Sequence, residues 1–201
     1  MSLFISPLVG FIGLYLFLFS DVIAPDVIRQ EVPLLKLAVC ILLGYLIADF
    51  GIRAANPASD VCDWSMFLHH VLTLYAGHSS AASADLPYYQ VLWTLMELPN
   101  IFNCLRVILK ELGQKTSLIY VLNGLALTLV TFLTNVAPIP LFWYHMIPLV
   151  QSEAFSEVTF GMKVATFVLS PIMHILQCFW FFKVCRGAFE YFFGKTVRKQ
   201  N

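Results

Sequence analysis

Charged residues are scarce in this sequence. Only 12% of its 201 residues are Asp, Glu, Lys or Arg, against about 25% in an ordinary soluble domain. Twelve basic and twelve acidic side chains cancel to a net charge of zero, which gives no positive field to draw a nucleic acid. Cysteine is unpatterned as well: Cys40, Cys62, Cys104, Cys178 and Cys185 are an odd number without paired ligand spacing, so no disulfide framework is indicated. Cys40, Cys104 and Cys178 fall in apolar segments and read as small packing residues. The sequence also lacks HxxxH and HxxE spacings, internal repeats and low-complexity tracts. Without those spacings no metal site is expected.

Hydrophobic residues fill the chain instead. They make up 59% of it, aromatics 15%, and the mean hydropathy is +0.79. Apolar runs of about 20 residues cross a bilayer as helices, and the chain reads as an all-α polytopic membrane bundle of six spans. The first, Leu3–Phe19, has no basic n-region and too long an apolar run for a cleavable signal. The second covers 34–52 and carries Asp49; after a loop with an Asn56-Pro57 turn, the third covers 64–82. The fourth, 88–109, is loosened by Pro99. The stretch 117–150 is too long for one straight span, and Pro138, Pro140 and Pro148 interrupt it. One tilted, proline-kinked helix is the favoured reading; two separate spans are the alternative. The last span covers 161–184. The chain divides into a first helix and loop (1–33), a domain (34–190) and a basic tail (191–201).

Residues 66–77, MFLHHVLTLYAG, place His69 and His70 inside an apolar span. Ionisable groups at membrane depth are costly and usually face a bundle interior. Adjacent helical residues point roughly 100° apart, so the two rings diverge. Thr73, three and four residues on, lies on the strip between them. Other spans bring Asp49; Glu97 and Asn100; Asn123, Thr131 and Asn135; and Ser170, His174 and Gln177. Lipid satisfies none of these groups, so they turn toward one another. An apolar chamber lined by the third, fourth and sixth spans is expected, with Glu97 and His174 facing inward. Arg106 and Lys110 are expected to snorkel to the headgroups.

Three chemistries fit these residues. A histidine near neutral pKa, its tautomer fixed by a carboxylate, acts as base or accepts an acyl group. His69 or His70 is that residue, and Glu97 or Asp49 its partner. Metal binding suits the residue types but not adjacent histidines. A purely structural polar core is the third reading, and it covers Asn123, Thr131 and Ser170 best.

Five segments, in order, resemble the TLC-domain family of ceramide synthases, translocon-associated membrane proteins and small lipid-homeostasis proteins. They are GYLIAD (44–49), FLHHVLTLYAG (67–77), MELPNIFNCLR (96–106), LNGLALTLVTF (122–132) and LQCFWFFKVCRG (176–187). The resemblance is to the small proteins rather than to the synthases, whose second His-Asp cluster is reduced here to Asp85 in a serine-rich loop. Pro99 and Asn135 stand where the small relatives usually have Ser and Arg. The resemblance implies a six-helix barrel around a lipid-sized cavity, in the endoplasmic reticulum membrane, acting in lipid homeostasis. It makes His69 and His70 the catalytic candidates. Asp49, Thr73, Glu97, Asn100, His174 and Gln177 are read as lipid-binding or supporting residues. The implied partner is a membrane lipid or fatty acyl chain, with acyl-coenzyme A as co-substrate and no other cofactor. A non-enzymatic lipid sensor or transfer protein, and a membrane cargo receptor, are the alternatives.

With six spans and a cytosolic N-terminus, Arg53, Arg106, Lys110, Lys115, Lys183, Arg186, Lys195, Arg198 and Lys199 share the cytosolic side. Only Arg29, Lys36 and Lys163 fall on the other, as the positive-inside rule requires. Arg198 and Lys199, fourth and third from the end, resemble the dibasic retrieval signals that coat proteins read on cytosolic tails. A C-terminal epitope tag is therefore expected to be digested when intact microsomes are treated with protease, and Lys199→Ser to release protein toward the Golgi. A protected tag would refute the six-span count and the retrieval signal together.

Overall fold

A backbone in lipid must satisfy its polar groups internally, and this chain does so almost wholly with helices. The computed structural model describes residues 2–21, 23–55 and 64–198, with side chains for 3–21, 23–55 and 64–191. The Asn56-Pro57 turn, Cys62 and the terminal residues Lys199, Gln200 and Asn201 lie outside the described residues. The helices are α1 (Ser2–Phe19), α2 (Pro33–Ala55), α3 (Trp64–Ser83), α4 (Pro87–Leu95), α5 (Asn100–Glu111), α6 (Leu118–Thr131), α7 (Pro138–Val150), α8 (Phe160–Val164) and α9 (Ser170–Arg198). Beyond one isolated bridge, Arg29 to Asp85, no β-structure forms among the described residues.

Four helical runs are long and apolar enough to cross a membrane: Pro33–Ala55, Pro87–Glu111, Leu118–Val150 and Phe160–Tyr191. They mark a membrane protein, as does an exterior carrying Phe4, Phe11, Ile47, Leu129 and Ile175. Of the six expected spans, two do not meet that standard. The apolar stretch of α1, Leu3–Phe19, is shorter. α3 has 20 residues, but His69, His70, Thr73, His78 and four serines lower its apolarity. Cys40 and Cys178 point outward rather than packing inside. The helix of the last span continues through 191–198, into the stretch read as a tail.

Proline explains where the long helices depart from α geometry. Pro138 has no N–H to give to the carbonyl four residues back, and the turn before it widens into a π-helix, Phe132–Val136. There the Ala137 N–H reaches back five residues to Phe132 (2.8 Å). The same happens ahead of Pro171: Ala165–Leu169 is π-helical, and both the N–H and the hydroxyl of Ser170 go to the Ala165 carbonyl. Residues 118–150 thus form one continuous helical run, α6 joined to α7 through the π turn, rather than two separate spans. Before Pro99, between α4 and α5, the bonds tighten to the three-residue type instead.

α1 packs chiefly on α4, α2 and α5, through a stripe of small residues, Ser6, Gly10 and Gly13. Small residues let helix backbones approach closely in lipid. A Cβ on Gly10 would lie 2.8 Å from Leu98 Cγ. α4 is enclosed: eight of its nine residues are buried. Around it Tyr88, Tyr89, Leu92, Phe142, Met146 and Phe155 form the largest apolar core. That packing fills the end of the bundle around α4.

The loops at the filled end are tied by Asp85, which has no solvent exposure. Arg29 Nε donates to one carboxylate oxygen (2.7 Å), and the Thr159 N–H to the other (2.9 Å). Arg29 also reaches the Glu157 carbonyl (3.0 Å), and the Gln90 amide donates to the Asp85 carbonyl. Ala84 and Leu86, on either side, both hold φ of 54°, a left-handed conformation that costs on the order of 1 kcal/mol per residue. Burial pushes the Asp85 carboxyl up, but hydrogen bonds from Arg29 and Thr159 outweigh it and hold the group below its ordinary 3.8. A depressed carboxylate stabilises fully above its unfolded value and loses that contribution as pH falls through the folded one. Asp85→Asn is expected to cost about 2 kcal/mol, read as an unfolding temperature in detergent lower by roughly 4–8 °C. The gap between wild type and variant should close only below about pH 4.

Candidate functional site

The divergence of adjacent helical side chains sends the two histidines to different neighbours. His70 turns to α2, where its Nε2 lies 3.2 Å from Asp49 Oδ2. The same oxygen accepts from Arg53 Nε at 2.5 Å, one turn further along α2. His69 turns to α9, where its ring meets the edge of Trp180 with centroids 5.3 Å apart. Trp180 is itself fixed by donating Nε1 to Ser65 Oγ (3.1 Å).

His69 borders two cavities. One, of about 410 Å³, lies between α3, α5, α6 and α9 and is lined by Glu97, Asn100, Asn135, Gln177 and Trp180 among others. The other is narrow, about 50 Å³, and runs between α2, α3 and α4 past Leu42, Thr73, Ser80 and Trp93. His69, Met96, Glu97 and Gln177 line both. The buried Thr73 Oγ1, Ser80 Oγ and Trp93 Nε1 have no hydrogen-bond partner. Glu97 accepts from Asn100 Nδ2 (2.9 Å) and from the hydroxyl of Ser6 on α1.

The proline-loosened turns supply the rest of the wall. Because the Asn100 N–H bonds to Glu97, the Met96 carbonyl loses the partner an α-helix would give it. Asn135, inside the π turn, offers its Nδ2 to that carbonyl (3.5 Å) and, more closely, to Gln177 Oε1 (2.7 Å). Three irregular helices are thereby joined through one side-chain amide. Among the described residues no cluster of three metal-ligating side chains occurs.

The sequence pattern of the TLC domain matches residues 1–186. The chain belongs to the TLC-domain family. The match takes in α1 as well as the stretch from 34 onward. TLC domain-containing protein 4-B of Danio rerio is 29% identical over 189 residues, 94% of this chain and 71% of its own. The protein of that name in Xenopus laevis is 26% identical, covering 100% of this chain and 78% of its own. TLC domain-containing protein 4 of Homo sapiens is 25% identical, covering 92% and 70%. These are small TLC-domain proteins, not ceramide synthases. No solved structure matches the chain.

Of the residues singled out in the TLC-domain sequence, His69, Thr73, Glu97, Asn100 and Gln177 meet at the two cavities. Asp49 and His70 pair one helix face away. His174 does not join them. Its Nδ1 accepts from Trp143 Nε1 (3.2 Å), and its ring packs on Phe142, so it belongs to the contact between α7 and α9. Glu97, offered as a partner for a histidine, bonds Asn100 and Ser6 instead. Ser6 was overlooked; its signal is the small-residue spacing Ser6, Gly10, Gly13. Asn135→Ala is expected to destabilise by about 1 kcal/mol, within the range of interhelical hydrogen bonds in membranes, as measured by unfolding in detergent or bicelles.

Proposed function

We propose that this TLC-domain protein is a six-span protein of the endoplasmic reticulum membrane that acts in lipid homeostasis. In this reading it takes the acyl chain of a membrane lipid into the cavity beside His69. One observation carries it: His69 borders a cavity of about 410 Å³, inside the 300–1,000 Å³ range of small-molecule sites. The unpartnered Thr73, Ser80 and Trp93 atoms around the narrow cavity offer hydrogen bonds to a polar group of the ligand. α1 and α3 complete the six spans: each pairs with α2, and α3 is shielded from lipid at His70 and Ser80. Residence in the endoplasmic reticulum rests on the dibasic tail.

Two chemistries follow. If the protein is an acyltransferase, His69 is the nucleophile. Its neutral imidazole attacks the thioester carbonyl of acyl-coenzyme A, coenzyme A leaves as the thiol, and the acyl group passes to an amine or hydroxyl of the lipid. His70, held by Asp49, is then the positioning residue. The sensor or transfer reading is favoured by one observation: Arg53 lies closer to Asp49 than His70 does, so that carboxylate is already neutralised. In both readings Asp49 orients α3.

Lipid extracted with the purified protein, identified by mass spectrometry, names the ligand. His69→Ala and His70→Ala are each expected to leave expression and folding intact. An acyltransferase should lose product formation by about 10²-fold or more in both, whereas a sensor would form no product and lose only bound lipid. Full product formation in both variants excludes the pair from chemistry, and failure of both to fold assigns it to structure.

A further inference from the structure

At the face that carries Asp85, the loop after α1 and the end of α3 leave a small cleft of about 10 Å³. Exposed Gln30, Glu31 and Lys36 form its mouth, where Lys36 pairs with Glu31 (3.6 Å). Its inner wall includes Ser80 and Gln90, 3% and 7% exposed. The same two residues line the narrow cavity that runs past Thr73 and Trp93 to His69 and Glu97. Cleft and cavity therefore meet at Ser80 and Gln90, and together they follow α3 inward. From Ser80 to His69 an α-helix rises about 16 Å, half of a hydrocarbon core of about 30 Å. Between them α3 turns Ala76 and Gly77 to the passage, side chains too small to close it.

Polar atoms mark this route. Ser80 Oγ, Trp93 Nε1, Thr73 Oγ1 and His69 Nδ1 are buried along it with no hydrogen-bond partner in the protein. Two polar neighbours are engaged elsewhere: the Gln90 amide nitrogen donates to the Asp85 carbonyl, and Thr94 Oγ1 to the Val91 carbonyl (2.8 Å). Buried polar groups are almost always hydrogen-bonded, to protein or to ordered water. A water needs about 10–15 Å³ and two to four polar partners. The narrow cavity, about 50 Å³, has room for roughly three to five waters, and the cleft for about one. We infer that water enters at this cleft, passes Ser80 and Gln90, and reaches His69 and Glu97 in single file. By the distribution of Lys and Arg, the mouth opens opposite the cytosolic side. The file connects two ionisable side chains with bulk water and gives their protons a way out that avoids lipid. Water is the partner these atoms have when no polar group of a lipid reaches them. The passage does not rest on the lipid reading, since a dry passage leaves the larger cavity as it is.

X-ray radiolytic footprinting tests this, because hydroxyl radicals formed from bound water oxidise the side chains beside it. The full chain is irradiated in a neutral detergent after removal of co-purifying lipid, and oxidation is read by peptide mass spectrometry. Trp93, which lines the narrow cavity but not the larger one, reports on the passage. Met146, fully buried in the packed core, is the dry control. Trp93 is expected to oxidise about tenfold faster than Met146, as a side chain beside buried water. Ser80→Val, which replaces the hydroxyl with methyl groups at the junction, should slow Trp93 severalfold. Ala82→Val, at an exposed position two residues on, should leave the rate unchanged. If Ser80→Val does not fold, Ser80→Thr replaces it, adding one methyl group at the junction, and should also slow Trp93. Oxidation of Trp93 no faster than that of Met146 overturns the proposal. So does a wild-type rate in the Ser80 variant, which assigns the water to the larger cavity. An equal slowing in Ala82→Val assigns the effect to packing and also overturns it. None of these outcomes bears on whether a lipid binds beside His69.

Discussion

A carboxylate shut away from solvent sits where three connections between helices meet. Asp85 draws in Arg29 from the loop after α1 and the Thr159 N–H ahead of α8, from a loop that itself joins α3 to α4. Connections this far apart in sequence would otherwise leave the helices free to exchange neighbours within the bilayer. An unpaired buried carboxylate is costly, so these three loops hold together or the group is destabilised. The left-handed backbone at Ala84 and Leu86 is strain that persists because the surrounding contacts over-determine it. With this end fixed and packed by α4 and its aromatic neighbours, the largest cavity lies beyond it, where Glu97, Asn100, Asn135 and Gln177 collect.

Those polar side chains are where they are because prolines disturb the helices. Each proline removes one backbone donor, and in lipid the orphaned carbonyl has only protein to turn to. Asn135 answers for Met96. The amides near the cavity therefore have a structural duty besides any ligand they meet. Glu97 differs, since its partners Asn100 and Ser6 leave it still facing both cavities.

What could be read in the sequence followed from local spacing. The pairing of a histidine with Asp49 and the contact of Glu97 with Asn100 come from residue types that demand partners and from neighbours three residues apart. The continuous run through 118–150 was legible because three prolines kink a helix more readily than they end it. Periodicity also placed His174 on the same face as Gln177, but a face does not say which helix covers it, and α7 does. Nor does a lone Asp85 in a serine-rich loop announce partners 56 and 74 residues away. The hollow barrel was an expectation of the family resemblance. Whether an interior is filled depends on side chains such as Tyr89 and Phe142 meeting across the bundle, which no single segment records.

The two π turns have a geometric consequence of their own. Asn123, Leu127, Thr131 and Asn135 recur every four residues and are all buried. Four residues in an α-helix overshoot a full turn by roughly 40°, so a straight helix would carry such a seam about 120° around its axis over that length. A turn that closes on the fifth residue winds more slowly and brings the seam back into phase. The series Met162, Thr166, Ser170, His174, also buried, is corrected in the same way. Forcing either turn into an ordinary α-helix at unchanged length would rotate everything beyond it by roughly 100°. Gln177 and Asn135 would then part with every helix still intact. These wide turns act as phase adjusters, each absorbing about one residue that α geometry would place out of register.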